Sequence, residues 1–99
     1  MKITKHYDEK DLTLSIEGRI DTLTSPELDK EINNELGNFK SLTLDFADLE
    51  YISSAGLRVS IATQKKLKAD DIPFVIKNVN DSVNEIFRMS GLNKLLTIE

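Results

Sequence analysis

Four adjacent residues, Ser53, Ser54, Ala55 and Gly56, lie at the centre of the stretch YISSAGLRV, between an apolar run and a helical pattern. Two chemistries fit them. A serine at a helix start accepts a hydrogen bond from an unpaired N–H of the first turn. Alternatively, a serine there presents its hydroxyl for modification. The first turn of a helix carries about half a positive charge and free N–H groups, so it tolerates an anion. A phosphate on that serine would add a charge of roughly -1.5 to -2. It would change the outer surface more than the core, which suits a switch read by a partner. Gly56 is the costly member, since Gly in a helix is worse than Ala by roughly 0.5–1 kcal/mol. Close approach by another backbone or by a partner would justify it. The sequence-based expectation is that Gly56 serves partner approach more than folding.

Other chemistries fit poorly. Ser54 as a nucleophile lacks a base: the single histidine, His6, is far along the chain, and no lysine follows at nucleophile spacing. Absence of cysteine removes thiolate metal sites and disulfides, and one histidine removes a multi-histidine metal site. There is no GxGxxG and no Walker lysine, so no nucleotide cradle of those kinds, and no cofactor is expected. Asp45 and Asp48 follow a strand, with Lys77 late in the chain, as in a carboxylate phosphoacceptor pocket. The acidic pair such a pocket needs near the first strand is missing, so these read as solvated carboxylates. Lys65, Lys66 and Lys68 read as a solvated helix face, His6 as an exposed edge-strand residue, and Met89 as core filler.

The elements that must position the serines are legible from periodicity. KITKHY alternates weakly, as an edge strand does. DLTLSIEG places Leu12, Leu14 and Ile16 on one face and Thr13, Ser15 and Glu17 on the other. The turn residues between them predict an antiparallel hairpin. A helix follows, with two start signals. Thr24 with Glu27 fits a capping box, and Ser25 with Pro26 fits an N-cap followed by proline. Leu28, Ile32 and Leu36 recur along it, and Gly37 stops it. SLTLDF is a strand. AGLRVSIATQKKLK is a helix whose first half is apolar through Ala55, Leu57, Val59, Ile61 and Ala62. PFVIKN is a strand, NDSVNEIFRMSG a helix with Val83, Ile86 and Phe87 inward and Gly91 as its stop, and LLTIE a final strand. The order ββαβαβαβ predicts an α/β fold: one domain over residues 1–99, a mixed, mostly parallel sheet of about five strands, and helices mainly on one side. The loops YISSAG and RIDTLTS then each lie beyond the carboxyl end of a strand, where ligands and partners meet such sheets.

Size and composition agree with one small domain: 99 residues, 39% hydrophobic and 30% charged. The formal net charge of -4 argues against nucleic acid. No apolar run is long enough to span a membrane, and MKITKHYDEK lacks the apolar core of a signal peptide, so the expected compartment is the cytosol.

GRIDTLTSPEL, LDFADLEYISSAGLRV and IFRMSGLNKLL occur in this order, with strand–helix spacing between them. Together they resemble the STAS domain, specifically the bacterial anti-sigma factor antagonists, over nearly the whole chain. The resemblance implies regulated binding without catalysis. Its phosphorylated serine lies two places before the loop glycine, which here is Ser54. It implies as partners an anti-sigma factor that is also a serine protein kinase, and a serine phosphatase. The unmodified antagonist binds the anti-sigma factor and frees the sigma factor; the phosphorylated form does not. Asp21, followed by Thr22, matches the acidic loop residue that helps form the partner surface. Ser53 stands where family members often carry Asp or Thr, and Ala55 where they often carry Ser or Thr. The same family also suggests a second role, as an accessory subunit docking within a transporter or a stress-sensing complex.

Overall fold

The computed structural model describes residues 1–99. Strands β1 (Lys2–Asp8) and β2 (Asp11–Ile20) form the expected antiparallel hairpin. Helix α1 (Ser25–Glu35) leads to β3 (Ser41–Asp45), then β4 (Leu49–Ile52), α2 (Ser54–Ala69), β5 (Phe74–Lys77) and α3 (Asp81–Ser90), with a short 3₁₀ turn at Leu92–Lys94. The sheet order is β1-β2-β3-β5, with β4 also paired to β2. Only β1–β2 is antiparallel; β2–β3, β2–β4 and β3–β5 are parallel.

Alternation explains why all helices share one side. Leu12, Leu14 and Ile16 of β2, Leu42 and Leu44 of β3 with Phe46 beyond it, and Phe74 and Ile76 of β5 are all buried. They form one cluster with Leu28 and Ile32 of α1, Leu57 and Leu67 of α2, and Val83 and Phe87 of α3. Phe46 and Phe87 stack with ring centroids 6.4 Å apart. The other face of the sheet carries Thr13, Ser15, Thr43 and Asp45, and no helix covers it. The edge strand β1 is tied to α1 by polar groups. Lys5 Nζ lies 2.9 Å from Glu35 and 3.0 Å from Glu31, and the Tyr7 hydroxyl donates to Glu35 at 2.7 Å. Hydrogen bonds to these carboxylates push the Lys5 ammonium up to about 12. Desolvation first, then its bond to Glu35, pushes the Tyr7 phenol up to about 12.

Several details differ from the sequence-based reading. The segment Leu49–Ile52 is a strand, not part of a loop. β2 is long enough to take β3 along Asp11–Ser15 and β4 along Gly18–Ile20, with a register shift between Gly18 and Arg19 within the second pairing. The expected final strand is reduced to one parallel bridge, Ile76–Ile98, because Leu92–Lys94 coils instead. The sheet therefore has five named strands, with β4 in place of the C-terminal one. Both helix stops hold: Gly37 and Gly91 adopt φ of +90° and +77°, conformations that cost other residues dearly. Neither cap signal at α1 is used by a side chain. Thr24 precedes the helix and turns its hydroxyl back to the Arg19 carbonyl, while Pro26 does sit in the first turn. Leu36 lies just past the helix end and is partly exposed, and Met89 is 76% exposed, so neither is core.

The inward face of α2 is also different. It consists of Gly56, Leu57, Ser60, Thr63 and Leu67, while Ala62 is exposed. The Ser60 hydroxyl donates to the Gly56 carbonyl at 3.2 Å. Self-satisfied hydroxyls of this kind can be buried without an unpaired polar group, so an apolarity count misplaces the face.

Candidate functional site

The parallel register brings two chain reversals together. Ile20 of β2 pairs with Ile52 of β4, and the Ser53 N–H donates to the Ile20 carbonyl at 2.8 Å. Asp21 follows Ile20 and Ser54 follows Ser53, so the two sequence-predicted loops lie side by side at the carboxyl ends of these strands. The structure thus brings together Asp21, Thr22, Ser53, Ser54, Ala55 and Gly56.

Their roles differ. Ser53 is the N-cap of α2 in an extended conformation, and its hydroxyl accepts the Gly56 N–H at 3.3 Å. The Leu57 N–H bonds the Ser53 carbonyl at 2.9 Å. The capping chemistry therefore belongs to Ser53. Ser54 is the first helical residue, and its side chain is exposed and makes no hydrogen bond. Ala55 is half-buried beside it. The cap thus belongs to one serine, and the hydroxyl of its neighbour is left free.

Gly56 does not face outward. It is buried, and a Cβ built on it would lie 2.6 Å from Ile20 Cγ2 and 2.7 Å from Ile52 Cγ1. The close approach that its presence signalled is made by the protein's own core. The expectation that this glycine mainly admits a partner is corrected on that ground.

Asp21 organises its own loop. Its Oδ1 accepts the N–H groups of Leu23 at 2.9 Å and Thr24 at 3.0 Å, and the Thr24 hydroxyl lies 3.2 Å away. The Asp21 N–H donates to Thr24 Oγ1 at 2.8 Å. The Thr24 backbone bond foremost, with help from Leu23 and the Thr24 hydroxyl, holds its carboxyl below the ordinary 3.8. A depressed carboxylate contributes stability above its unfolded value and loses it as pH falls through its folded value. Asp21→Ala is therefore expected to lower the urea midpoint at neutral pH, while Asp21→Asn, which keeps a carbonyl acceptor, should lower it less. The gap between the native protein and Asp21→Ala should narrow on acidification below about pH 4. An unchanged gap would show that the carboxylate does not hold the loop.

Two features escaped the sequence reading. Leu23, between Thr22 and Thr24, is 85% exposed. An apolar residue in a polar turn was the available signal. Arg19 and Tyr51 are register partners beside the site, with the guanidinium 4.5 Å from the ring centroid. Because Ile20 and Ile52 point into the core, this pair projects from the opposite face of the sheet.

The remaining candidates are elsewhere. His6 on β1 pairs with Thr13 of β2, and the run from Thr13 to Ile20 spans ~23 Å at ~3.3 Å per residue. No Ser54–His6 couple forms across that distance. Asp45 accepts from the Ala47 N–H and the Asn78 amide, both at 3.0 Å, and Lys77 lies 3.9 Å from Glu99. No helix is long and apolar enough to cross a membrane.

A family model described as the STAS domain matches residues 2–99. The anti-sigma-B factor antagonist of Staphylococcus aureus is 24% identical over 99 residues, spanning 99% of this chain and 92% of that protein. Among solved structures, an anti-sigma factor antagonist from Mycobacterium paratuberculosis superposes with a TM-score of 0.89 at 22% identity, covering 98% of this chain and 83% of that one. The Bacillus cell fate determinant SpoIIAA in its phosphorylated form superposes with a TM-score of 0.77 at 15% identity, covering 99% and 91%. At these identities the two structures bear on the fold.

Proposed function

The chain belongs to the STAS domain family, and we propose that within it this protein is an anti-sigma factor antagonist controlled by phosphorylation of Ser54. The observation that carries this reading is the division of labour at the start of α2. Ser53 caps the helix, which leaves Ser54 exposed, without a hydrogen bond, at a helix N-terminus. The relatives' names point to an anti-sigma factor as partner. The unmodified protein binds an anti-sigma factor that is also its serine kinase, and so releases the sigma factor. Phosphate on Ser54 ends the binding, and a serine phosphatase restores it. Asp21 shapes the adjoining loop, which offers Thr22 and the apolar Leu23 to the partner. The protein acts by binding, in the cytoplasm, without a cofactor.

The test uses two tagged variants, Ser54→Ala and Ser54→Asp, expressed in the native cells. Ser54→Ala should retain an ATP-binding serine kinase that itself binds a sigma factor, and Ser54→Asp should not. That kinase, with ATP, should place phosphate on Ser54 of the native protein, as mapped by fragmentation mass spectrometry. Phosphate on Ser53 alone would overturn the assignment of the acceptor. Equal retention of a transporter by both variants would favour the accessory-subunit role instead.

A further inference from the structure

Arg58 stands four residues after Ser54 on α2, so the two side chains lie on one face of the helix with Cβ atoms about 5–6 Å apart. Both are exposed. The other arginines are engaged: Arg19 lies over Tyr51, and Arg88 pairs with Glu85. Arg58 makes no ion pair and no side-chain hydrogen bond. Its own helix cannot supply an anion, because Ser54–Ala69 contains Arg58, Lys65, Lys66 and Lys68 but no Asp or Glu. On the neighbouring elements, the Asp21 carboxylate is bonded within its loop and Arg19 lies over Tyr51. Helix α1, which packs on α2, carries Glu27 and Asp29, and neither pairs with Arg58.

We propose that phosphorylation of Ser54 draws Arg58 into an ion pair with the phosphate, so that the modified surface loses a free cation as well as gaining an anion. This deepens the proposed function and rests on Ser54 as the acceptor. The order along the helix is the favourable one, since an anion four residues N-terminal to a cation pairs better than the reverse. A guanidinium can also meet two phosphate oxygens at once, which lysine cannot. The cation withdrawn is the one closest in sequence to the serine loop on a helix face that is otherwise positive. An acidic partner surface that fits α2 in the unmodified state would therefore lose an attraction at the same moment that it meets a repulsion.

The experiment installs phosphoserine at residue 54 during synthesis, so no kinase is needed. Phosphorus NMR then follows the second ionisation of the phosphate in the native background, in Arg58→Lys and in Arg58→Ala. Pairing should place that ionisation lower in the native background than in Arg58→Ala by roughly 0.2–0.4 pH units, with Arg58→Lys between them. The Arg58 Nε–H resonance should also move when residue 54 carries phosphate. Identical titrations in the native and Arg58→Ala backgrounds would overturn the proposal. Failure of the underlying reading would appear separately, as native protein that its cells never phosphorylate on Ser54.

Discussion

A Gly56→Ala protein is expected to unfold more easily than the native one, by about 1–2 kcal/mol, which lowers the melting temperature of a domain this size by roughly 5–15 °C. Two terms of opposite sign set the value. Alanine is better than glycine inside a helix by roughly 0.8–1.0 kcal/mol. Against this, the new methyl would lie 2.6 Å from Ile20 Cγ2 and 2.7 Å from Ile52 Cγ1. Both isoleucines are almost fully buried, and the atoms met are bonded directly to the branched Cβ, whose rotation the backbone restricts. Overpacking in a core typically costs about 1–3 kcal/mol, and two simultaneous contacts this short belong at the upper end. The helix must lift from β2 and β4, and with it the cap at Ser53, whose N–H is bonded to Ile20. Urea unfolding measures the effect, with an unchanged slope and a lower midpoint expected. A variant as stable as the native protein, with weakened partner binding, would return Gly56 to the role its sequence position first suggested.

Phosphorylation of Ser54 is expected to weaken partner binding by about 2–4 kcal/mol, roughly 30- to 1000-fold, while leaving the fold intact. The two effects separate because the phosphate has different surroundings in the two states. In the free protein it is exposed, on a helix start whose Ser54 and Ala55 N–H groups have no acceptor. Such a position favours an anion by roughly 0.3–1 kcal/mol, so the melting temperature should hold or rise slightly. In a complex the same phosphate would be desolvated, and without a cationic group opposite it the burial is unfavourable. Calorimetric titration, melting curves and amide spectra of both forms test this together. Spectral changes should stay within the loops around Asp21 and Ser54 and the first turns of α2. Changes across the sheet, or a large fall in melting temperature, would mean that phosphate acts by unfolding instead.

Much of this could be read from the chain because it rests on local repetition. Leu12, Leu14 and Ile16 alternate with polar residues, and a strand with one buried face demands that period of two. Gly37 and Gly91 end helices through their own backbone conformations, which depend on no distant residue. A serine cap at the start of α2 is likewise local, through a bond to Gly56 three residues on, although only the structure assigns it to Ser53 over Ser54. The motif order that resembles the STAS family placed Asp21 and Ser54 in two loops, and the parallel sheet sets those loops side by side.

What only the tertiary structure decided involves partners remote in sequence. Leu49–Ile52 is too short to show a period, and it becomes a strand because β2 continues past Gly18 and offers its second half for pairing. The C-terminal segment has strand composition, yet it makes only one bridge to β5 because a 3₁₀ turn uses the residues before it. The buried face of α2 follows from how closely the helix approaches the sheet. That distance selects Gly56, Ser60 and Thr63 for the inside over the more apolar Ala62. Hydrophobic periodicity reports what a side chain prefers, whereas close packing decides how much side chain fits. At Gly56 the answer is none, because Ile20 and Ile52 already fill the space a Cβ would occupy.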